Sequence, residues 1–240
     1  MTFNDISTLQ TYIDEAKRIV FFGGAGVSTE SGIPDFRSSE GIYTNNLSAE
    51  EIVSSDYFYS HPKEFYEFFF SKMVFPNAKP NSCHNYLANL EERKEISIIT
   101  QNIDGLHQKA GSNNVYEIHG NAYNYTCTHC KKKYTYNDIK GFTLPLRCPI
   151  CHNLIKPDVV LYGESLNEKT VLDAVNKISQ ADLLIVGGTS LKVYPAATFI
   201  YYYRGSKKVY IEKNLINKLP NYLNIQGKIG EVFSLLKWNS

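Results

Sequence analysis

Four cysteines in two close pairs, Cys127-x-x-Cys130 and Cys148-x-x-Cys151 with seventeen residues between them, are the side chains whose spacing specifies chemistry most directly. Two knuckles of this spacing deliver four thiolates tetrahedrally to zinc, and a set in which protein fills every position leaves none open for catalysis. A structural zinc ion is therefore expected. His129 and His152 lie inside or beside the knuckles, but the four thiolates already complete the set. Cys83 stands apart, next to His84, and reads either as a thiol nucleophile or as a buried inert thiol. No activating cluster surrounds it, which favours the inert reading.

A second set of residues points to a nucleotide. Gly23-Gly24-Ala25-Gly26-Val27-Ser28 follows the apolar run Ile19-Val20-Phe21-Phe22. A short strand running into small residues lets the backbone approach a pyrophosphate, with amide N–H groups and a helix start facing the charge. The third glycine of the dinucleotide fingerprint is missing, and Glu40 and Glu50, near twenty positions on, follow no evident second strand. On the motif alone, a tight strand-to-helix turn and a phosphate cradle stand as equal readings. Asn102 and Asp104 follow the run Ile96-Ser97-Ile98-Ile99, where they either hold a sugar or an amide or cap a polar turn. His119, in Glu117-Ile118-His119-Gly120, immediately precedes the cysteine segment, where a hinge between two lobes forms a cleft. A histidine alone is more often structural, and here its company decides.

The elements that must position these groups follow from periodicity. Ser7-Thr8-Leu9-Gln10 resembles a capping box, and Leu9, Tyr12, Ile13 and Ala16 keep an apolar face at helical spacing up to the strand at Ile19. A helix over 85–95, carrying Tyr86, Leu87 and Leu90, leads into the strand at 96–99. Asn167 caps a helix with Val171, Leu172, Val175 and Ile178, and Leu183-Leu184-Ile185-Val186 then ends in Gly187-Gly188-Thr189-Ser190. A further strand, Lys208-Val209-Tyr210-Ile211, ends in Glu212-Lys213-Asn214. Helices alternating with short apolar strands predict a parallel sheet covered on both faces, with ligands at the carboxyl ends of the strands. Two stretches break the rhythm. Residues 38–75 are helical and crowded with aromatic residues, a density expected of core packing, and residues 120–157 read as an insertion.

Composition narrows the partners. With 25 basic and 24 acidic residues the formal charge is +1, too small a field to collect nucleic acid or an anionic membrane by itself. Asp5, Asp14 and Glu15 interrupt the stretch where a signal peptide needs an apolar core, and no later run approaches the ~18 apolar residues of a spanning helix. A soluble, cytoplasmic protein is expected. Paired cysteines in a chain of 240 residues fit metal ligation in a reducing compartment better than a disulfide framework.

Together these residues resemble the sirtuin (Sir2) family of NAD-dependent protein lysine deacylases, and the likeness spans nearly the whole chain. It is carried by GAGVSTESGIPDFR at 24–37, TQNIDGLH at 100–107, IHG at 118–120, the cysteine quartet, KPDVVLYGE at 156–164 and GGTSLKVYPA at 187–196, in that order. The pattern looks most like bacterial and archaeal deacetylase-type members. It implies an α/β fold in which a large Rossmann-like parallel-sheet domain, covered by helices and built from 1–37, 76–119 and 158–240, carries an inserted small domain. That small domain would combine a helical module at 38–75 with a zinc-ribbon module at 120–157.

The resemblance also implies roles, with NAD as co-substrate and zinc as a structural ion. Gly24, Ala25, Gly26, Thr29, Asp35, Phe36 and Arg37 would line the NAD pocket, with Phe36 over the nicotinamide side. Gln101 and Asn102 would contact the nicotinamide-side ribose and an ordered water, and Ile103 and Asp104 the carboxamide. Gly188, Thr189, Ser190 and Asn214 would hold the phosphates and the adenosine ribose, with Ile229 nearby. His119 would be the general base, with Asn102 as the second catalytic residue. Val159 and Val160, before Tyr162-Gly163-Glu164, would pair with the acylated peptide as an added strand.

Three departures from the family pattern matter. Gly23 stands where many members have a hydroxyl residue, and Tyr162 replaces a common Phe beside the acyl-lysine tunnel. The Tyr-and-Arg pair of desuccinylase-type members is missing, since no arginine occurs between Arg37 and Arg93. The implied reaction removes acetyl, and also longer neutral acyl groups, from protein lysines, giving nicotinamide, O-acyl-ADP-ribose and free lysine. Two other readings are protein mono-ADP-ribosyl transfer at the same NAD site and a non-catalytic NAD-sensing or zinc-ribbon interaction module. The joint presence of His119, Asn102 and Asp104 argues against the non-catalytic one.

Overall fold

The computed structural model describes residues 2–35 and 48–237. In chain order its strands are β1 (Arg18–Gly23), β2 (Glu95–Thr100), β3 (Val115–Glu117), β4 (Gly120–Cys127), β5 (Lys133–Thr135), β6 (Ile155–Val159), β7 (Leu183–Gly187), β8 (Lys207–Glu212) and β9 (Leu223–Gln226). Six of them form a parallel sheet in the order β3-β2-β1-β7-β8-β9, and the other three an antiparallel sheet in the order β5-β4-β6. The expected parallel sheet is present, extended by β3 and β9.

Central strands buried on both faces read as unbroken apolar runs, and β1, β2 and β7 show why. Alternate side chains of β1 enter different cores. Phe21 packs with Leu9 and Ile13 of α1 (Phe3–Glu15), Leu87 of α5 (Ser82–Leu90) and Phe233 of α9 (Ile229–Ser234). Val20 and Phe22 pack on the opposite face with Ile178 of α8 (Glu168–Gln180) and with Phe199 in the 3-10 segment Ala196–Tyr202. Helices thus cover both faces. Gly23 pairs with Thr100 on one side and Gly187 on the other, so β1, β2 and β7 end level and their following loops leave the sheet together.

A third core lies outside this sheet. It joins Ile52 of α2 (Ala49–Ile52), Phe58 of α3 (Ser55–Ser60) and Phe65, Tyr66 and Phe69 of α4 (Pro62–Lys72) to Tyr125, Ile139 of α7 (Tyr136–Ile139), Leu146 and Ile155 of the cysteine segment. Phe65 stacks on Phe69 with ring centres 5.6 Å apart and meets Phe58 edge-on at 5.0 Å. The Tyr66 hydroxyl donates to the Ile155 carbonyl. Of the aromatic stretch expected at 38–75, residues 38–47 lie outside the described residues; the rest is core packing as expected, except Tyr59, which is 56 % exposed.

Two helix starts differ from the sequence expectation. α1 is capped by Thr2, whose hydroxyl accepts the Asp5 N–H at 3.2 Å while the Asp5 carboxylate takes the Thr2 N–H at 2.6 Å. An N-cap needs a non-helical backbone, which Thr2 has (φ −109, ψ 164). Ser7 lies inside the helix, its carbonyl already accepting the Thr11 hydroxyl at 3.0 Å. α5 starts at Ser82 behind the Asn81 cap and ends at Leu90, earlier than the expected 85–95. α8 is capped by Asn167, as expected.

Candidate active site

β1 lies where the strand order turns from one direction to the other, with β2 and β3 on one side and β7, β8 and β9 on the other. Loops leaving neighbouring strands at such a point diverge and open a crevice. The loop after β1 makes two 3-10 turns, Ala25–Val27 and Thr29–Ser31, where a helix start was expected. It is pressed against the loop after β7. Gly24 N–H donates to the Gly187 carbonyl at 3.3 Å and Gly26 N–H to the Gly188 carbonyl at 2.8 Å. A Cβ on Gly26 would sit 2.8 Å from the Gly188 Cα, so the two backbones meet where only glycine fits.

A polar network joins the loops that follow β1 and β2. Asn102 Nδ2 donates to the Gly24 carbonyl at 3.0 Å and to Ser28 Oγ at 3.1 Å, and Ser28 Oγ donates to Asp104 Oδ2 at 2.6 Å. The other Asp104 oxygen accepts the Leu106 N–H at 2.9 Å, at the start of α6 (Leu106–Ala110). Burial pushes the Asp104 carboxyl above its ordinary range, and the Ser28 and Leu106 bonds oppose that rise. Gln101 Nε2 reaches Thr189 Oγ1 at 3.4 Å, and Thr29 Oγ1 donates to the Gly26 carbonyl at 3.0 Å. Ser28, 1 % exposed, is the residue that sequence reading left without a role. Only its closure with groups far along the chain reveals one.

His119 sits between the two sheets, after β3 and directly before β4. Its Nδ1 lies 2.9 Å from the Gln101 carbonyl, and a carbonyl only accepts, so Nδ1 carries the proton. Nε2 is then the basic nitrogen. The Gln101 N–H in turn donates to the Gly23 carbonyl at 2.9 Å, which ties the imidazole to the end of β1. Burial lowers the His119 pKa below 6.5, with the Gln101 bond partly offsetting it. A half-buried, neutral, oriented imidazole is equipped for general-base chemistry.

The peptide-pairing candidates run past the same histidine. Val160 N–H donates to the His119 carbonyl at 2.9 Å, and Tyr162 bridges to the helical module through Val53 and Ser55. Val159 ends β6, Gly163 has φ 89, and Tyr162 is 44 % exposed. Glu164 turns back onto Lys156. Ile103 bridges the two halves, its carbonyl accepting the Ala122 N–H at 2.9 Å. Asp35 is half-buried beyond the second 3-10 turn, and Ser190 and Asn214 are exposed at the ends of β7 and β8. Ile229 packs within the main core at the start of α9. Phe36 and Arg37 lie outside the described residues.

The cysteine quartet converges. Cys127, Cys130, Cys148 and Cys151 place all four sulfurs within 4.8 Å of one another, with Cys127 and Cys151 3.4 Å apart and Cys130 and Cys148 3.6 Å apart. Sulfurs about 2.3 Å from a tetrahedral zinc are about 3.8 Å apart, so the donor set and its size fit the ion. The knuckles are alike. Lys131 and His152, each following a pair by one residue, take left-handed backbone at φ 62 and φ 58. The Tyr134 hydroxyl, 3.1 Å from Cys148 Sγ, helps to hold that thiol below its ordinary range. Cys83 is fully buried with its thiol pushed up by that burial, which makes it inert.

A protein-family model described as the Sir2 family matches residues 24–195. The chain is 48% identical over 220 residues to an NAD-dependent protein deacetylase of Clostridium acetobutylicum, covering 89% of this chain and 90% of that one. It is 44% identical over 216 residues to an NAD-dependent protein deacetylase of Staphylococcus aureus, covering 88% of each. Among solved structures, one described as bearing on the mechanism and regulation of Sir2 enzymes superposes with a TM-score of 0.85 at 36% identity, over 97% of this chain and 96% of that one. A complex of Sir2 with a p53 peptide and NAD+ gives a TM-score of 0.82 at 39% identity over 95% of each chain.

Proposed function

This chain belongs to the Sir2 family, and from that premise we propose that it removes acetyl groups from protein lysines with NAD as co-substrate. NAD, when bound, supplies the ADP-ribosyl group that accepts the acyl, so the products are nicotinamide, O-acyl-ADP-ribose and free lysine. The observation that carries the reading is the oriented imidazole of His119, with Nδ1–H fixed by the Gln101 carbonyl and Nε2 left basic.

The residues present fit a dinucleotide. Two glycine-bearing loops meet at the sheet's switch point, and a polar network of Asn102, Ser28 and Asp104 joins the loops after β1 and β2. Gly24, Ala25, Gly26, Thr29, Gly188, Thr189, Ser190 and Asn214 hold the phosphates and the adenosine side. Gln101, Asn102, Ile103 and Asp104 take the nicotinamide side, with Asp35, Phe36 and Arg37 closing it and Ile229 supporting the adenosine end. His119 Nε2 withdraws the proton from a ribose hydroxyl, help typically worth about 10²–10⁴-fold in rate. Asn102 orients water, Val159 and Val160 pair with the peptide backbone, and Tyr162, Gly163 and Glu164 close the segment that receives it.

Zinc belongs to the small domain, whose helical and zinc-bearing parts share one core, and this shared core supports dividing the chain near 38–75 and 120–157. No helix among the described residues is long and apolar enough to cross a membrane. Paired thiols and a charge near zero support a cytoplasmic enzyme with protein substrates rather than nucleic acid. Mass spectrometry of an acetyl-lysine peptide incubated with NAD tests the reading. Free lysine with O-acetyl-ADP-ribose is expected, and an ADP-ribosylated peptide in their place overturns it.

A further inference from the structure

The segment that receives the peptide is held by a device of its own. Lys156 on β6 folds back over the turn that follows, and its Nζ lies 2.9 Å from Glu164 Oε2 and donates to the Val159 carbonyl at 2.7 Å. The same Glu164 oxygen accepts the Leu161 N–H at 2.9 Å, and the Glu164 N–H donates to the Leu161 carbonyl at 2.9 Å across Gly163. The two side chains are 17 % and 27 % exposed, more sheltered than an ordinary surface pair. They clasp the start and the end of one short loop.

What the loop connects gives the clasp its consequence. Val160 N–H is bonded to the His119 carbonyl, while Tyr162 N–H donates to the Val53 carbonyl at 3.0 Å and Ser55 N–H to the Tyr162 carbonyl at 2.9 Å. One side of the loop is therefore fixed to the base-bearing segment and the other to the helical module. The ion pair sets the shape between them. An edge that must accept an added strand binds better when its backbone is already ordered, because a loose edge has to be ordered at the moment of binding.

We propose that Lys156 and Glu164 are positioning residues for the acylated peptide, their ion pair holding the 160–164 edge in register with His119. This rests on the deacetylase reading. Loss of the pair then weakens peptide capture while leaving NAD binding and the chemical step intact.

The test is steady-state kinetics on the full chain with zinc bound, using an acetyl-lysine peptide and NAD, for wild type, Lys156→Met, Lys156→Arg and Glu164→Gln. Zinc content and melting temperature are measured beside each. Peptide KM is expected to rise about tenfold in Lys156→Met and Glu164→Gln, with kcat and the KM for NAD within about threefold of wild type. Lys156→Arg keeps the charge and should stay within about threefold in every constant. A folded, zinc-bearing Lys156→Met with wild-type peptide KM overturns the proposal, as does an Arg variant as impaired as the Met one. A fall in kcat that matches the rise in KM also overturns it, since the pair would then be acting on the fold as a whole. If Lys156→Met does not fold, Glu164→Gln, close to isosteric, decides by the same criteria. A wild type that consumes no acetyl-lysine peptide refutes the deacetylase reading itself, a result distinct from normal turnover with an unchanged KM.

Discussion

The Ser28 hydroxyl donates to Asp104 Oδ2 at 2.6 Å and so joins the loop after β1 to the loop after β2. Ser28 Oγ also accepts from Asn102 Nδ2 at 3.1 Å, which makes Ser28 the hinge of this polar network. At 1 % exposure no bulk water can replace it. Ser28→Ala strands the half-buried Asn102 and Asp104, and should destabilise the protein by roughly 1–3 kcal/mol. It should also weaken NAD binding about tenfold, because Asp104 and Asn102 lose their common anchor. Titration calorimetry and thermal melting read both effects, and unchanged NAD affinity would remove Ser28 from the site.

The tautomer of His119 carries a pH signature. A base acts in its neutral form, and burial lowers the His119 pKa below its ordinary 6.5. The kcat/KM should therefore be flat above that value and fall as pH drops through the lowered pKa. An acid limb centred above 6.5 would contradict the placement of the imidazole. His119→Ala should abolish steady-state deacetylation while leaving NAD affinity within about threefold, because its loss removes proton transfer and not the cradle.

What the sequence made legible follows burial. β1, β2, β7 and β8 announce themselves because strands covered on both faces must be apolar almost throughout, as Ile19-Val20-Phe21-Phe22 and Leu183-Leu184-Ile185-Val186 are. β3 and β9 escape notice because edge strands are short and half-covered. Val115, Tyr116 and Glu117 are all intermediate in exposure, and in β9 only Ile225 is buried. The cysteine quartet was readable because metal spacing is local. Ser28 was not, since a serine among small residues reads as part of a turn until Asp104 is seen beside it. The Lys156–Glu164 pair was hidden for the same reason: KPDVVLYGE shows two charges but not that the chain folds back between them.

The zinc set makes a stability prediction. Cys127 and Cys148 are fully buried in the core that also holds Phe58, Tyr66 and Ile155, so the ion and the aromatic packing stand or fall together. Structural zinc in small peptides contributes on the order of 10–16 kcal/mol of apparent binding energy at neutral pH. Cys148→Ser should lose the metal, melt the small domain and abolish turnover, because the peptide edge and the segment after His119 both belong to its sheet. Metal analysis with circular dichroism checks this. Retention of zinc, melting temperature and activity together would refute a structural role.

Acyl selectivity follows from which cations are available near the peptide edge. No arginine occurs between Arg37 and Arg93, and Phe65 and Phe68 are buried in the apolar core behind the edge. Lys156, the cation closest in sequence to Val160, is already held by Glu164. A succinyl-lysine carboxylate entering here loses hydration without gaining an unoccupied partner from these residues, and burying an unpaired charge is costly. Acetyl-lysine should therefore be consumed with a kcat/KM at least about tenfold above succinyl-lysine, equivalent to roughly 1.4 kcal/mol of transition-state discrimination. Longer neutral chains should be discriminated only weakly, since a methylene in an apolar channel changes binding little. A competition assay with acetylated and succinylated peptides in one tube decides the matter. Equal or faster loss of the succinylated peptide would mean that another cation, Arg37 or Lys72, reaches the acyl group, and the enzyme would then be a broader deacylase.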